Sequence, residues 1–279
     1  RRSRIIGILV WAGTIGSVAG PLLVEPTSQW AASAGLVAAS GPYWATALIA
    51  ALAMLLIFLF LRPDPLAISR QMGYESTVAE STGPQRSMSE IFSHPRLRLA
   101  VASLVIGQLV MTLIMVITPL HMAHNHHDLK AISWVLMAHT LGMFGLAPLT
   151  GWLIDRRGQL TMIVVGGLVL VVASLLAPFS TSVYYLSAAL FLLGLGWNFT
   201  FIAGSSLMAD SLAISERARA QGFSESLVAL ASGAGSLGTG AAFAFGGMVL
   251  VSAIGLACSL AFMAAALWMT QRRQVVAAG

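Results

Sequence analysis

Eight long apolar runs, separated by short polar pieces, restrict what this chain can fold into. They lie near 5–24, 43–61, 99–120, 131–154, 160–178, 183–208, 222–245 and 246–270. Each is close to the ~20 residues an α-helix needs to cross the hydrocarbon core of a bilayer. In lipid every backbone N–H and C=O must find a partner within the protein, so such a run is expected to be helical. The runs are too long for the strands of a membrane barrel. Only 9% of the 279 residues are charged, against about a quarter in a soluble domain. No soluble core could hide the apolar surface that remains. The chain reads as an all-α integral membrane protein, with the lipid bilayer as its first partner.

The formal charge of +5 is distributed as topology rather than as a nucleic-acid groove. If residue 1 lies inside and the segments alternate, the inside pieces are 1–4, 62–98, 155–159, 209–221 and 271–279. They hold fourteen of the fifteen Lys and Arg residues, and Lys130 alone falls outside. This asymmetry predicts a multi-pass protein of the cell (inner or plasma) membrane with both ends of the chain cytoplasmic. Cys258 is the single cysteine and has no internal disulfide partner. The chain begins at Arg1, and further residues are expected ahead of it.

The longest connection, 62–96, contains Arg62-Pro63-Asp64-Pro65 and a polar middle, and reads as a cytoplasmic linker. A short surface helix is expected near Ser89–His94, before Pro95. The linker divides the chain into two spans (1–61), six spans (97–271) and a cytoplasmic tail (272–279). Arg2-x-Arg4-x-x-Gly7 in the first span matches Arg217-x-Arg219-x-x-Gly222 before the seventh. Spans six apart that match suggest two repeated halves.

Gly151-Trp152-Leu153-Ile154-Asp155-Arg156-Arg157-Gly158-Gln159 joins the fourth and fifth spans. It resembles the G-x-L-x-D-R-x-G-R loop of the Major Facilitator Superfamily, with Gln159 in place of the last basic residue. The resemblance implies a helix bundle with about eight of an expected twelve transmembrane helices present: the last two of the first half and the whole second half. It implies secondary active transport by alternating access. Gly151, Asp155, Arg156 and Gly158, with Arg217 and Arg219, then form a conformational loop. Asp155 would face a positive helix end or pair with an arginine such as Arg219. Gly16-Ser17-Val18-Ala19-Gly20-Pro21 resembles an element of the family's exporters and implies proton-coupled efflux, although Leu23, Val24 and Glu25 follow where glycines are common. On physical grounds Gly16 and Gly20 would allow close helix packing, and Pro21 would disrupt the helix near its end.

Polar side chains within the spans are the candidates for substrate or proton contact. Gln108, Thr112 and Met115 share one helical face, and Asn198, Phe201 and Ser205 another, beside Trp197. Such groups suit an amphipathic or drug-like small molecule, although Gln108 and Asn198 could equally bond between helices. His139 is read first as a neutral ring bonded to a neighbouring helix, and second as a proton site. Glu225 is read first as a partner of Arg219, then as a group snorkelling to water or a proton site. His121, His124, His126, His127 and Asp128 crowd an outside loop without the spacing of a closed zinc site, so no metal is expected. No phosphate-binding loop, catalytic triad or cofactor motif is found, and the chain is not expected to be an enzyme. Uptake of a sugar or organic anion is the rival within transport. A receptor or assembly factor is the rival outside it.

Overall fold

The computed structural model of this chain describes residues 2–62, Ile68 and 86–278. The middle of the expected linker, 63–67 and 69–85, including Arg70, lies outside the described residues. The helices are α1 (Arg2–Ser33), α2 (Gly41–Phe60), α3 (Met88–Ser93), α4 (Pro95–His124), α5 (Leu129–Thr140), α6 (Ala147–Arg157), α7 (Gln159–Leu176), α8 (Val183–Asp210) and α9 (Ile214–Ala278). A 3₁₀ turn, Ala38–Ser40, precedes α2, and a π-helical turn, Leu141–Gly145, joins α5 to α6. No strand occurs among the described residues. Five helices are long and apolar enough to span a membrane, and the bent α5–α6 pair adds a sixth.

Local chemistry sets the boundaries. Ser87, Asp128 and Ser182 each cap a helix by accepting from the N–H three residues on. Pro95 sits in the first turn of α4, where its missing N–H is harmless. The short helix expected before Pro95 is α3, and its Ile91 is buried.

The expected fourth span, 131–154, is not one straight helix. Its two parts meet at 41°. Pro148 is the cause: it lacks the N–H that would bond to Phe144 O, and its ring crowds that carbonyl. The backbone widens to a π-turn just before it. The expected break between the seventh and eighth spans falls at Gly246 and Gly247 inside α9, where the backbone leaves helical values. Gly247 has φ +61°, a conformation that side chains resist.

The first helix differs from expectation. Pro21 does not end it, and α1 runs through Pro21 and Pro26 to Ser33. Pro21 leaves Ser17 O without its helical donor. Thr140 Oγ1 of α5 donates to that carbonyl at 3.1 Å, so the lost bond is replaced across the interface. The expected close packing at Gly16 and Gly20 is not made among the described residues, since a Cβ at either would meet nothing within 4 Å.

Helices α4 and α7 each pack on α8 and α9, with α5 and α6 on α8 and α1 on α5. Two apolar clusters form the core. One lies at the end carrying Leu97, Leu99, Ile163, Leu207 and Leu212. The other holds Ile114, Met122, Val135, Leu186 and Leu190. Gly142 and Gly194 let α8 touch the π-turn and α5 backbone to backbone, because a Cβ on Gly142 would strike Phe191 O and one on Gly194 would strike His139 O. Helix α2 packs on α1 and turns its remaining apolar side chains outward: Leu48, Phe58 and Phe60 are all exposed. A helix apolar on all sides suits a lipid or helix environment rather than water.

Candidate functional site

Three helices bring polar groups together midway along the bundle. Gln108 of α4 accepts a hydrogen bond at Oε1 from Trp197 Nε1 of α8, at 2.9 Å. Its Nε2 lies 3.4 Å from Thr112 Oγ1 and 3.4 Å from Ser232 Oγ of α9. Thr112 and Ser232 are themselves 3.2 Å apart. Trp197 stacks on Phe201 at 4.6 Å with an interplanar angle of 12°. Phe144, in the π-turn, meets Trp197 edge-on at 5.9 Å. The result is an apolar aromatic wall beside an amide and two hydroxyls.

The structure thus brings Gln108, Thr112 and Phe201 together. Ser232 and Phe144 join them without having been singled out. Helical spacing links residues only within one element, and these two come from other helices. Asn198 and His139 sit elsewhere. Thr150 Oγ1 donates to Asn198 Oδ1, and Asn198 Nδ2 donates to Met143 O, which pins α8 to the π-turn and to α6. His139 is 1% exposed, and its Nδ1 lies 3.0 Å from Leu190 O of α8. A carbonyl only accepts, so Nδ1 carries the hydrogen. Nε2 is buried and has no partner among the described residues.

At one end of the bundle the turn between α6 and α7 carries Gly158 at φ +83°. Asp155 is exposed and makes no ion pair among the described residues, so the expected Asp155–Arg219 contact is not formed. Arg156 lies 4.2 Å over the Trp152 ring instead. Gln159 takes up the interhelical role: its Nε2 donates to Asp210 Oδ2 at 2.6 Å and to Ser206 Oγ at 3.0 Å. The expected Glu225–Arg219 pair is also absent among the described residues, and Glu225 is exposed. Six residues turn a helix by about 240°, so the two side chains leave it on different faces.

The ion pair that does form was not foreseen. Arg86 of the linker grips Glu216 of α9 with Nε–Oε1 at 2.8 Å and Nη2–Oε2 at 2.6 Å. Glu216 also accepts from Ala213 N–H. This fork holds the Glu216 carboxyl down at about 2, well below its ordinary range. Phe92 of α3 packs on Phe223 of α9 at 4.9 Å, so the end of the linker is tied to α9 twice. An acid in the first turn of a helix was the available signal.

At the opposite end, His121 and His124 flank the Phe243 ring. His127 Nε2–H donates to Thr181 O at 2.7 Å. Asp128 caps α5. No three His, Cys, Asp or Glu side chains converge as a metal site among the described residues. Burial and the neighbouring histidines push the His121 ring below its ordinary value.

Comparison with known proteins adds the wider context. A family model described as Major Facilitator Superfamily matches residues 100–278. The chain is 34% identical over 270 residues to "Uncharacterized MFS-type transporter YdeG" of Bacillus subtilis (strain 168), covering 96% of this chain and 63% of that protein. It is 32% identical over 281 residues to YddS of the same organism, named in the same way, covering 98% and 64%. It is 30% identical over 225 residues to "Riboflavin transporter RfnT" of Brucella anthropi, covering 79% and 52%. The chain therefore spans less than two thirds of the length of each of these relatives.

Proposed function

The chain belongs to the Major Facilitator Superfamily, and from that membership we propose that it works as a secondary active transporter by alternating access. Membership makes it a multi-pass membrane protein of a transporter family rather than an enzyme. The proposed activity is proton-coupled efflux of a small amphipathic or drug-like compound. The observation that carries this reading is the convergence of Gln108, Thr112, Ser232 and Trp197 from three helices beside the stacked Phe201 ring. An aromatic wall supplies apolar contact, and the amide and hydroxyls orient the ligand. The resemblance of Gly16–Pro21 to an exporter element supports the outward direction.

The proton would use His139, whose buried Nε2 lone pair awaits a donor. Glu225, exposed nearer the arginine-bearing end, is the second candidate. That end is assigned to the cytosol from the placement of the arginines. In this reading the 62–96 linker joins two repeated halves that rock about the central site, with the Gly151–Gly158 loop gating the cytosolic side.

The test is transport in proteoliposomes under an imposed pH gradient, with a fluorescent amphipathic dye as cargo. Gradient-driven movement that falls at least about fivefold in Trp197→Ala is the expected result, since an aromatic contact of this kind contributes on the order of 1 kcal/mol beyond area burial. Absence of any gradient-driven movement across a panel of such compounds would remove efflux from the reading.

A second reading is transport of a metabolite with a planar ring. Its support is the similarity to a protein named a riboflavin transporter. Riboflavin that competes with the dye and is itself carried would favour it.

A further inference from the structure

The arginine-bearing end holds a cavity of about 330 Å³ that shares no lining residue with the Gln108–Trp197 cluster and adjoins the Gly151–Gly158 loop. Arg96, Arg157, Gly158, Leu160, Thr161 and Leu207 line it, together with Gln159. Its lining contains two guanidinium groups and no carboxylate.

The backbone adds to that charge. Arg96 stands in the first turn of α4, and Thr161 in the first turn of α7. Neither helix start has a side-chain cap or an acid in its first turn. Helix α7 begins with N–H groups that lack helical partners, whereas in α4 Pro95 has no N–H and Leu97 N–H already bonds His94 O. Both starts present the positive end of a helix dipole. The nearest acid along α8, Asp210, is held by Gln159 Nε2 at 2.6 Å and is not part of the lining. Leu160 and Leu207 give the same cavity an apolar wall.

We infer that this cavity binds a phosphate ester, with Arg96 and Arg157 forking its oxygens and Thr161 donating its hydroxyl. Guanidinium forks match phosphate geometry, and charge-assisted bonds of this kind are the strong ones. The ester has two possible sources: the headgroup of an anionic lipid, or a soluble phosphate monoester. The lipid source places the site at the cytosolic leaflet and rests on the orientation proposed above. The soluble source does not.

The experiment uses delipidated protein in detergent. Phosphatidylglycerol is titrated and read by native mass spectrometry, with diacylglycerol as the phosphate-free control. Glycerol 1-phosphate is titrated separately by calorimetry. Wild type is expected to retain phosphatidylglycerol over diacylglycerol. The pair R96Q/R157Q is expected to weaken the phosphate probe by about tenfold or more, whereas R96K/R157K, which keeps the charge and loses the forks, falls between that pair and wild type. Binding of glycerol 1-phosphate with the same dependence on the pair identifies a soluble ester. Binding of phosphatidylglycerol alone identifies a headgroup.

Thr161→Val, a small change in a first turn, is a further variant expected to weaken the probe should R96Q/R157Q not fold. Equal binding by wild type and R96Q/R157Q would overturn the assignment. So would equal retention of diacylglycerol, or a matching loss in Arg62→Gln, whose guanidinium lies over Phe58 away from the cavity.

Discussion

The environment of Glu216 changes its chemistry. Its side chain is 6% exposed, while that of Arg86 is 39% exposed. Arg86 and the Ala213 N–H both favour the ionised carboxylate, and the folded value falls from 4.5 to about 2. A depressed carboxylate stabilises the fold above its unfolded value and loses that contribution as pH falls through the folded one. The thermal midpoint of wild type is therefore expected to exceed that of Glu216→Gln by a constant margin above about pH 5, and the margin to shrink as pH falls toward about 2. A margin independent of pH in melting curves would refute the pairing. Gly194 gives a steric counterpart: a Cβ there would strike His139 O, so Gly194→Ala is expected to lower stability by about 1–3 kcal/mol, while Gly151→Ala, which meets open space, stays near wild type. Differential scanning fluorimetry separates the two. At this scale the sequence revealed residues that share a helix. Gln108 and Thr112 were legible from their spacing of four. Ser232, which completes their cluster from 120 residues beyond Thr112, was not. Arg86 and Glu216 were equally illegible as a pair, because 130 residues separate them and only the tertiary fold closes that gap.

At the scale of elements, hydrophobic run length located the helices because lipid leaves the backbone no alternative. It failed where a breaker's effect depends on a neighbour. Pro21 was expected to disrupt α1, yet Thr140 supplies the donor that Ser17 O lost, and the helix continues. Pro148 was overlooked, and there the chain bends and widens to a π-turn whose Met143 O and Phe144 ring reach Asn198 and Trp197. Pro148→Ala restores the missing N–H and is expected to straighten α5–α6. Stability should hold or rise by up to about 3 kcal/mol, the usual penalty of an interior proline. Transport should fall, because Phe144 leaves the aromatic wall. Unchanged transport with a straightened helix, seen by spin-label distances across the bend, would detach the π-turn from function. The break in α9 is different in kind. Gly247 at φ +61° occupies a conformation closed to side chains, so Gly247→Ala is expected to destabilise by about 1–3 kcal/mol. Gly238→Ala, with ordinary helical geometry and open space, is the matched control.

For the whole molecule, the placement of charge and the placement of helix ends coincide. The start of α4 with Arg96 and Arg98, the α6–α7 turn with Arg156 and Arg157, and the α8–α9 junction with Arg217 and Arg219 follow from alternate crossings of the bundle. The other crossings put the end of α4, the start of α5 and the α7–α8 turn together, where His127 bonds Thr181. This alternation was readable from the sequence because Lys and Arg are concentrated in every second connection, as in the cytoplasmic loops of multi-pass proteins. A single-cysteine experiment tests the side assigned from the arginines. With Cys258→Ser as background, Arg156→Cys and His126→Cys are labelled in intact cells by a membrane-impermeant maleimide. His126 lies exposed in the turn after α4, and Arg156 is exposed at the end of α6. Labelling of His126→Cys without permeabilisation, and of Arg156→Cys only after it, is expected. Labelling of both from outside would contradict the helix count itself, because an odd number of crossings separates the two positions. Labelling in the reverse order would keep the bundle, invert it, and move the Arg96–Arg157 cavity to the outer leaflet.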